Sequence, residues 1–174
     1  KNIPNSTIIL CPRYTYTISI FERLLKDNNI PTIKLSELTS VTREVENSVL
    51  IVDSFGVLNQ LYSISNIAIV GGSFKKRYHT GFSQNLIEPM IQEKPVLHGQ
   101  YTLQFDDLVN QINEDYNYSI CFSANELCEK ARDLVMNKSM RQDLIHKQIS
   151  SLKNHSGILE NYCQIISSEI RKEE

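Results

Sequence analysis

Short apolar runs alternate along this chain with longer stretches in which apolar residues recur every three or four positions. That alternation predicts a parallel sheet covered by helices. The first run, Thr7-Ile8-Ile9-Leu10-Cys11, is rich in β-formers and is stopped by Pro12. From Tyr16 to Lys26 the apolar residues Ile20, Phe21, Leu24 and Leu25 fall at helical spacing, and Asn28 and Asn29 end the helix. Pro31 to Leu35 reads as a second strand and Ser36 to Asn47 as a loop. Val49-Leu50-Ile51-Val52 predicts a third strand, Asp53-Ser54-Phe55-Gly56 the turn behind it, and Val57 to Ser63 a short helix. Ile67 to Val70 is apolar on both faces, as a central parallel strand requires, and Gly71-Gly72-Ser73 breaks it. A polar loop over 74–84, a helix from Asn85 to Gln92 and a strand at Pro95-Val96-Leu97 follow. Gly99 then turns the chain into a helix from about Leu103 to Asn113, and Tyr118 to Cys121 reads as an edge strand. From about residue 123 the pattern is helical only: Ser123 with Glu126 three residues on makes a capping box, Ser139 opens another helix, and Ile158 to about Arg171 forms a third. The expected fold class is α/β, a doubly wound, Rossmann-like parallel sheet of about six strands with a helical C-terminal tail, residues 1–174 forming one domain.

Composition narrows the partners more than the fold. At 174 residues, 41% hydrophobic and 22% charged, the chain has enough apolar surface for a real core. A net charge of −2 gives no basic excess with which to track a nucleic-acid backbone, so no nucleic-acid partner is expected. The four cysteines, Cys11, Cys121, Cys128 and Cys163, contain no CxxC pair and read as buried free thiols of a reducing compartment. No apolar run approaches the roughly 20 residues of a membrane span, and no signal peptide is visible. The chain starts at Lys1 and goes almost directly into a strand, the start expected of a domain taken from a longer protein.

Ligands of open parallel sheets bind at the carboxyl ends of the strands, where loops and helix N-termini offer free N–H groups. That rule selects Pro12-Arg13, Ser54-Phe55-Gly56, Gly71-Gly72-Ser73 and Gly99 to Thr102. Gly71-Gly72 has two readings, a close approach of backbone to a phosphate or a simple turn of the chain. Arg13 can grip a phosphate with its planar fork or stand solvated, and Glu88 can bind a ligand or stabilise the helix N-terminus on which it lies. Lys75-Lys76-Arg77, with Tyr78 and His79, is the densest charge and reads as a solvated loop or an anion-facing one. His98, His146 and His155 lack metal-ligand spacing and read as structural or surface residues, so no metal site is expected. No GxSxG, Walker loop, HExxH or GxGxxG occurs, which leaves nicotinamide chemistry unsupported.

Val70-Gly71-Gly72-Ser73, then Asn85-Leu86-Ile87-Glu88-Pro89, then Lys94-Pro95-Val96-Leu97-His98-Gly99 with Thr102 and Phe105, stand in an order that resembles the Kdo (3-deoxy-D-manno-octulosonic acid) transferases. Cys11-Pro12-Arg13, Asp53-Ser54-Phe55-Gly56, Leu61-Tyr62 and Asn154-His155-Ser156-Gly157 extend the likeness nearly end to end. The resemblance implies a GT-B glycosyltransferase of which this chain is the C-terminal, donor-binding domain, the N-terminal acceptor domain being absent. It implies that Arg13, Ser54, Gly56, Gly71, Gly72 and Ser73 hold the phosphate and cytidine end of CMP-Kdo, with Asn85 and Glu88 at the ribose and nearby phosphate. It further implies that no cofactor or metal is required and that the general base lies on the absent domain, so that this chain carries no catalytic residue and is inactive alone. The acceptor would be lipid A precursor, in lipopolysaccharide biosynthesis at the cytoplasmic face of the bacterial inner membrane, with attachment through the absent N-terminal part. The chain departs from the family pattern at Phe82-Ser83-Gln84, Val57 and Asn66 and in a longer loop after Ser73. Another GT-B nucleotide-sugar glycosyltransferase or epimerase, and a noncatalytic nucleotide-binding domain on the same fold, are the alternatives.

Overall fold

The computed structural model describes residues 6–38, 48–76, 83–115 and 118–153. They belong to two compact units, Lys1–Gln60 and Leu61–Glu174. In the first unit β1 (Ile8–Leu10), α1 (Ile18–Asp27), β2 (Thr32–Lys34) and β3 (Val49–Ile51) follow one another. β3 is the middle strand and pairs in parallel with both others, Leu10 and Lys34 each standing opposite Ile51. Its run of consecutive apolar residues fits that place, since Val49, Leu50 and Ile51 are all buried while β1 and β2 each keep an exposed position.

The stop of α1 foreseen at the two asparagines has a physical basis. The Asn28 side-chain amide donates to the Leu24 carbonyl at 2.8 Å, and Asn29 takes a left-handed φ of 55°, which asparagine tolerates. Of the four apolar residues that predicted α1, Phe21 and Leu25 are half-buried, while Ile20 and Leu24 face solvent.

The boundary between the units falls inside α2 (Leu58–Ile64). The second unit continues with β4 (Ala68–Val70), α3 (Ile87–Ile91), β5 (Val96–His98), α4 (Asp106–Asp115), α5 (Ala124–Met136) and a helix, α6, running through 138–153. β4 and β5 are parallel, Val70 opposite His98. Leu86, Met90, Val96, Leu97, Leu134 and Leu144 are fully buried in one core, where each such side chain contributes about 1.5–3 kcal/mol by leaving water. Ala68 and Val70 point into that core, but Ile69, expected to be covered on the other face of β4, is half exposed.

The strand count differs from expectation. Five strands form among the described residues, and the sixth, expected at 118–121, is a single parallel bridge between Ile120 and His98. Gln148 of α6 explains why. Its fully buried amide accepts from the Val96 N–H and donates to the Val96 carbonyl, both at 3.3 Å, and reaches the Ser119 hydroxyl at 3.4 Å. A side-chain amide thus takes the place of a strand residue beside Val96 and satisfies the backbone there.

The helix starts follow their caps. Ser123 accepts from the Glu126 N–H at 3.2 Å, as the capping box requires, while the Glu126 carboxylate reaches back to Phe122 N–H at 2.8 Å instead of that of Ser123. The expected helix from Leu103 begins as a 3-10 turn, Leu103–Phe105, and Thr102 bonds Asp106 at 2.8 Å where α4 starts. Residues 39–47 of the expected loop, Arg77, Tyr78, His79 and Phe82 of the basic loop, the Asn154–Gly157 motif and the last helix lie outside the described residues.

Candidate functional site

Residues of the second unit converge at the carboxyl ends of β4 and β5. Gly72 turns the chain with φ 83°, a conformation open to glycine at no steric cost. Ser73 is fully buried, and its Oγ donates to the Val70 carbonyl at 3.1 Å and accepts from Gly99 N–H at 2.8 Å. The Ser73 carbonyl accepts from Tyr101 N–H at 3.0 Å. Gly99 fits only because it lacks a side chain: an added Cβ would lie 2.3 Å from the Ser73 carbonyl oxygen. The Gly71 carbonyl accepts from Gln84 N–H at 3.1 Å, which brings Asn85 to the same turn. Asn85 accepts from Ile87 N–H and donates to Glu88 Oε1, both at 2.9 Å. Of the residues read from the sequence here, Gly71, Asn85 and Glu88 are exposed, Gly72 is half-buried, and Ser73 serves as the tie beneath them. One Glu88 oxygen is engaged by Asn85, and a carboxylate has acceptor capacity to spare for the hydroxyls of a sugar.

His98 lies beneath this rim, wholly buried, with Nδ1 2.7 Å from the Gly99 carbonyl and Nε2 without a hydrogen-bond partner among the described residues. The short contact makes Nδ1 the protonated nitrogen. Burial pushes the ring below the usual histidine range, the Gly99 carbonyl opposes that shift, and the Lys130 charge adds to it. Lys130 itself bonds the Ile120 carbonyl at 2.5 Å and Glu126 at 2.7 Å and lies over the Tyr118 ring, tying α5 to the bridged segment. Burial likewise raises the Cys121 thiol to about 11, leaving it an inert thiol, whereas Cys11 and Cys128, expected to be buried, are exposed free thiols. His98 is the structural histidine read from the sequence. Nothing in local spacing signalled the Gly99–Ser73 contact, which joins residues 26 positions apart.

The first unit has its own rim. The register of β1 and β3 sets the segment after Leu10 beside that after Ile51, so Arg13 and the Ser54–Gly56 turn leave neighbouring strands at the same end. Arg13, Ser54 and Gly56 are all exposed, and Gly56 takes φ 80° with nothing within 4 Å of an added Cβ. Asp53 is held from the side by Ser36, whose N–H and hydroxyl donate to the two carboxylate oxygens at 3.1 and 2.5 Å. Those bonds, chiefly that of the hydroxyl, hold its carboxyl below the usual carboxylate range. Arg13 lies over the Tyr14 ring, 5.5 Å from its centroid. Among the described residues no cluster of three or more His, Cys, Asp and Glu side chains comes together as a metal site, and no helix is long and apolar enough to cross a membrane.

No protein-family model matches the chain. It is 37% identical over 112 residues to a bifunctional glycosyltransferase/methyltransferase of Fusobacterium nucleatum, covering 64% of this chain and 17% of that protein. It is 36% identical over 108 residues to the 3-deoxy-D-manno-octulosonic acid transferase of Aquifex aeolicus (62% of this chain, 28% of that one). The corresponding Haemophilus influenzae transferase is 28% identical over 173 residues, 97% of this chain and 38% of the relative. The chain thus spans less than two fifths of the length of these curated relatives. Its fold is that of the C-terminal CMP-Kdo binding domain of WaaA from Acinetobacter baumannii, with a TM-score of 0.72 at 22% identity, over 83% of this chain and 72% of that one. The resemblance to the Kdo transferases read from the motifs is therefore borne out in sequence and in fold.

Proposed function

We propose that this relative of the Kdo transferases is the donor-binding domain of such an enzyme and holds CMP-Kdo. The observation that carries the reading is the Gly71–Gln84 bond with the Asn85–Glu88 pair behind it. It sets a glycine turn, an amide and a carboxylate side by side at the carboxyl end of β4, the arrangement suited to a ribose diol and its phosphate. Transfer of Kdo releases CMP, and the charge that develops on its phosphate needs stabilisation. The resemblance assigns that task to Arg13, whose guanidinium can bond a phosphate bidentately. The attacking hydroxyl belongs to the acceptor, and the base that takes its proton is assigned to the rest of the longer protein. On this reading the full-length enzyme transfers Kdo to lipid A precursor at the cytoplasmic face of the bacterial inner membrane, without a metal, and this chain alone gives no turnover.

Calorimetric titration with CMP, UMP and UDP tests the proposal. CMP binds in preference, and Arg13→Ala and Glu88→Ala each weaken it by about tenfold, the worth of one charge-assisted hydrogen bond. Preference for a uridine nucleotide would move the chain to another nucleotide-sugar enzyme. Parental CMP affinity in both variants would remove the site assignment.

A further inference from the structure

On the rim of the first unit, Arg13, Tyr14 and Tyr16 are all exposed. The Tyr14 and Tyr16 rings are stacked, with centroids 5.3 Å apart and planes 16° from parallel, and the Arg13 guanidinium lies over Tyr14. Tyr16 is nevertheless 74% exposed, so Tyr14 leaves a face of its ring open to solvent. The pair is held by a 3-10 turn, Thr15–Thr17, in which the Tyr14 carbonyl accepts from both the Thr17 N–H (3.0 Å) and the Thr17 hydroxyl (2.6 Å).

We infer that Tyr14 and Tyr16 form an aromatic platform for the pyrimidine base of a mononucleotide whose phosphate is gripped by Arg13. The inference rests on the donor-site reading above and adds to it a pair of residues that position the base. A stacked, pre-ordered ring pair offers large flat area with little rotamer freedom left to lose on binding. A guanidinium keeps its N–H edge for an anion while its face lies on an aromatic ring. Together they suit a ligand that is flat at one end and anionic at the other. A nucleotide meets both conditions, and a sugar phosphate meets only the second. Phe55, 81% exposed on the turn that follows the neighbouring strand β3, adds a further aromatic surface to the same rim.

The test is a titration of the 174-residue chain with CMP, UMP and ribose 5-phosphate, repeated for Tyr16→Ala and Tyr16→Phe. Loss of one base–aromatic stack weakens binding on the order of tenfold. Tyr16→Ala then loses that factor for both nucleotides and nothing for ribose 5-phosphate, while Tyr16→Phe, which keeps the ring, binds as the parent does. CMP affinity unchanged in Tyr16→Ala, or ribose 5-phosphate weakened as much as CMP, overturns the platform. If the parent shows no preference for CMP over UMP but Tyr16→Ala weakens both, the platform stands and the CMP-Kdo reading falls. If Arg13→Ala lowers CMP affinity and Tyr16→Ala does not, the donor site stands and the platform falls. A parent chain that binds none of the three ligands overturns both.

Discussion

The turns that follow β3 and β4 begin alike and end differently. Each leaves a parallel strand with buried residues and passes through a glycine at a left-handed φ, Gly56 at 80° and Gly72 at 83°. After β4 the chain is tied down at once, because Ser73 is buried under bonds to Val70, Gly99 and Tyr101. After β3 the turn is open among the described residues, and Ser54, Phe55 and Gly56 are exposed. The cause lies in a neighbour and not in the turns themselves: Gly99 passes so close to Ser73 that the two backbones lock. The same local device therefore frames a site in one unit and presents side chains in the other.

Breaking the lock is the severest test of that contrast. In Gly99→Ala the new methyl would meet the Ser73 carbonyl oxygen and carbon at 2.3 and 2.5 Å and the Phe74 Cα at 2.6 Å. All three are backbone atoms, so the turn must move and the Ser73 bonds go with it. Overpacking of this kind destabilises by about 3 kcal/mol or more. Urea unfolding measures it, and a variant of parental stability would show that the two segments are not locked.

A second test uses protons. His98 under the closed rim has its folded pKa depressed by burial, whereas the unfolded ring titrates near its ordinary value of about 6.5. Below that value the unfolded chain takes up a proton that the folded chain refuses. The stability contributed by the neutral ring is therefore complete above about pH 6.5 and declines as pH falls toward the folded pKa, with a slope approaching about 1.4 kcal/mol per pH unit. Unfolding measured from pH 8 to 5 shows the slope in the parent, and His98→Gln flattens it. A variant as pH-dependent as the parent would assign the proton elsewhere.

Much of this molecule is legible in the chain because its signals are local. The apolar runs at Val49–Ile51 and Val96–Leu97 can only be buried strands, Asn28 and Asn29 end a helix by chemistry within one turn, and Ser123 announces α5. The rim of the second unit was legible through glycine, asparagine and glutamate at motif spacing. What escaped was long-range. Gln148 lies in the helix that Ser139 is expected to open, and only the fold reveals that it stands in for a strand residue beside Val96. Ser36 lies in a stretch read as loop, 17 residues from the Asp53 carboxylate that it holds. Tyr16 reads as the first residue of the helix that in fact starts at Ile18, so its stacking on Tyr14 was invisible until the 3-10 turn placed them.

The glycines of the two turns sharpen the contrast further, at smaller expected effects. Gly56→Ala meets no neighbour but must hold a side chain at φ 80°, which costs about 1–2 kcal/mol. Gly71 is the more informative position, because the sequence left it two roles, turning the chain or admitting a phosphate. The turn belongs to Gly72: Gly71 has no positive φ, and a Cβ there meets nothing within 4 Å. Gly71→Ala accordingly leaves stability within about 0.5 kcal/mol of the parent. If glycine stands at 71 so that backbone can approach a phosphate, the same variant binds CMP more weakly while unfolding at the parental urea concentration. If its CMP affinity is also parental, position 71 serves neither turn nor ligand, and the phosphate must be sought at Gly72 or at Arg13. A loss of stability instead would return Gly71 to the architecture of the turn and make the closed rim tighter than its contacts indicate.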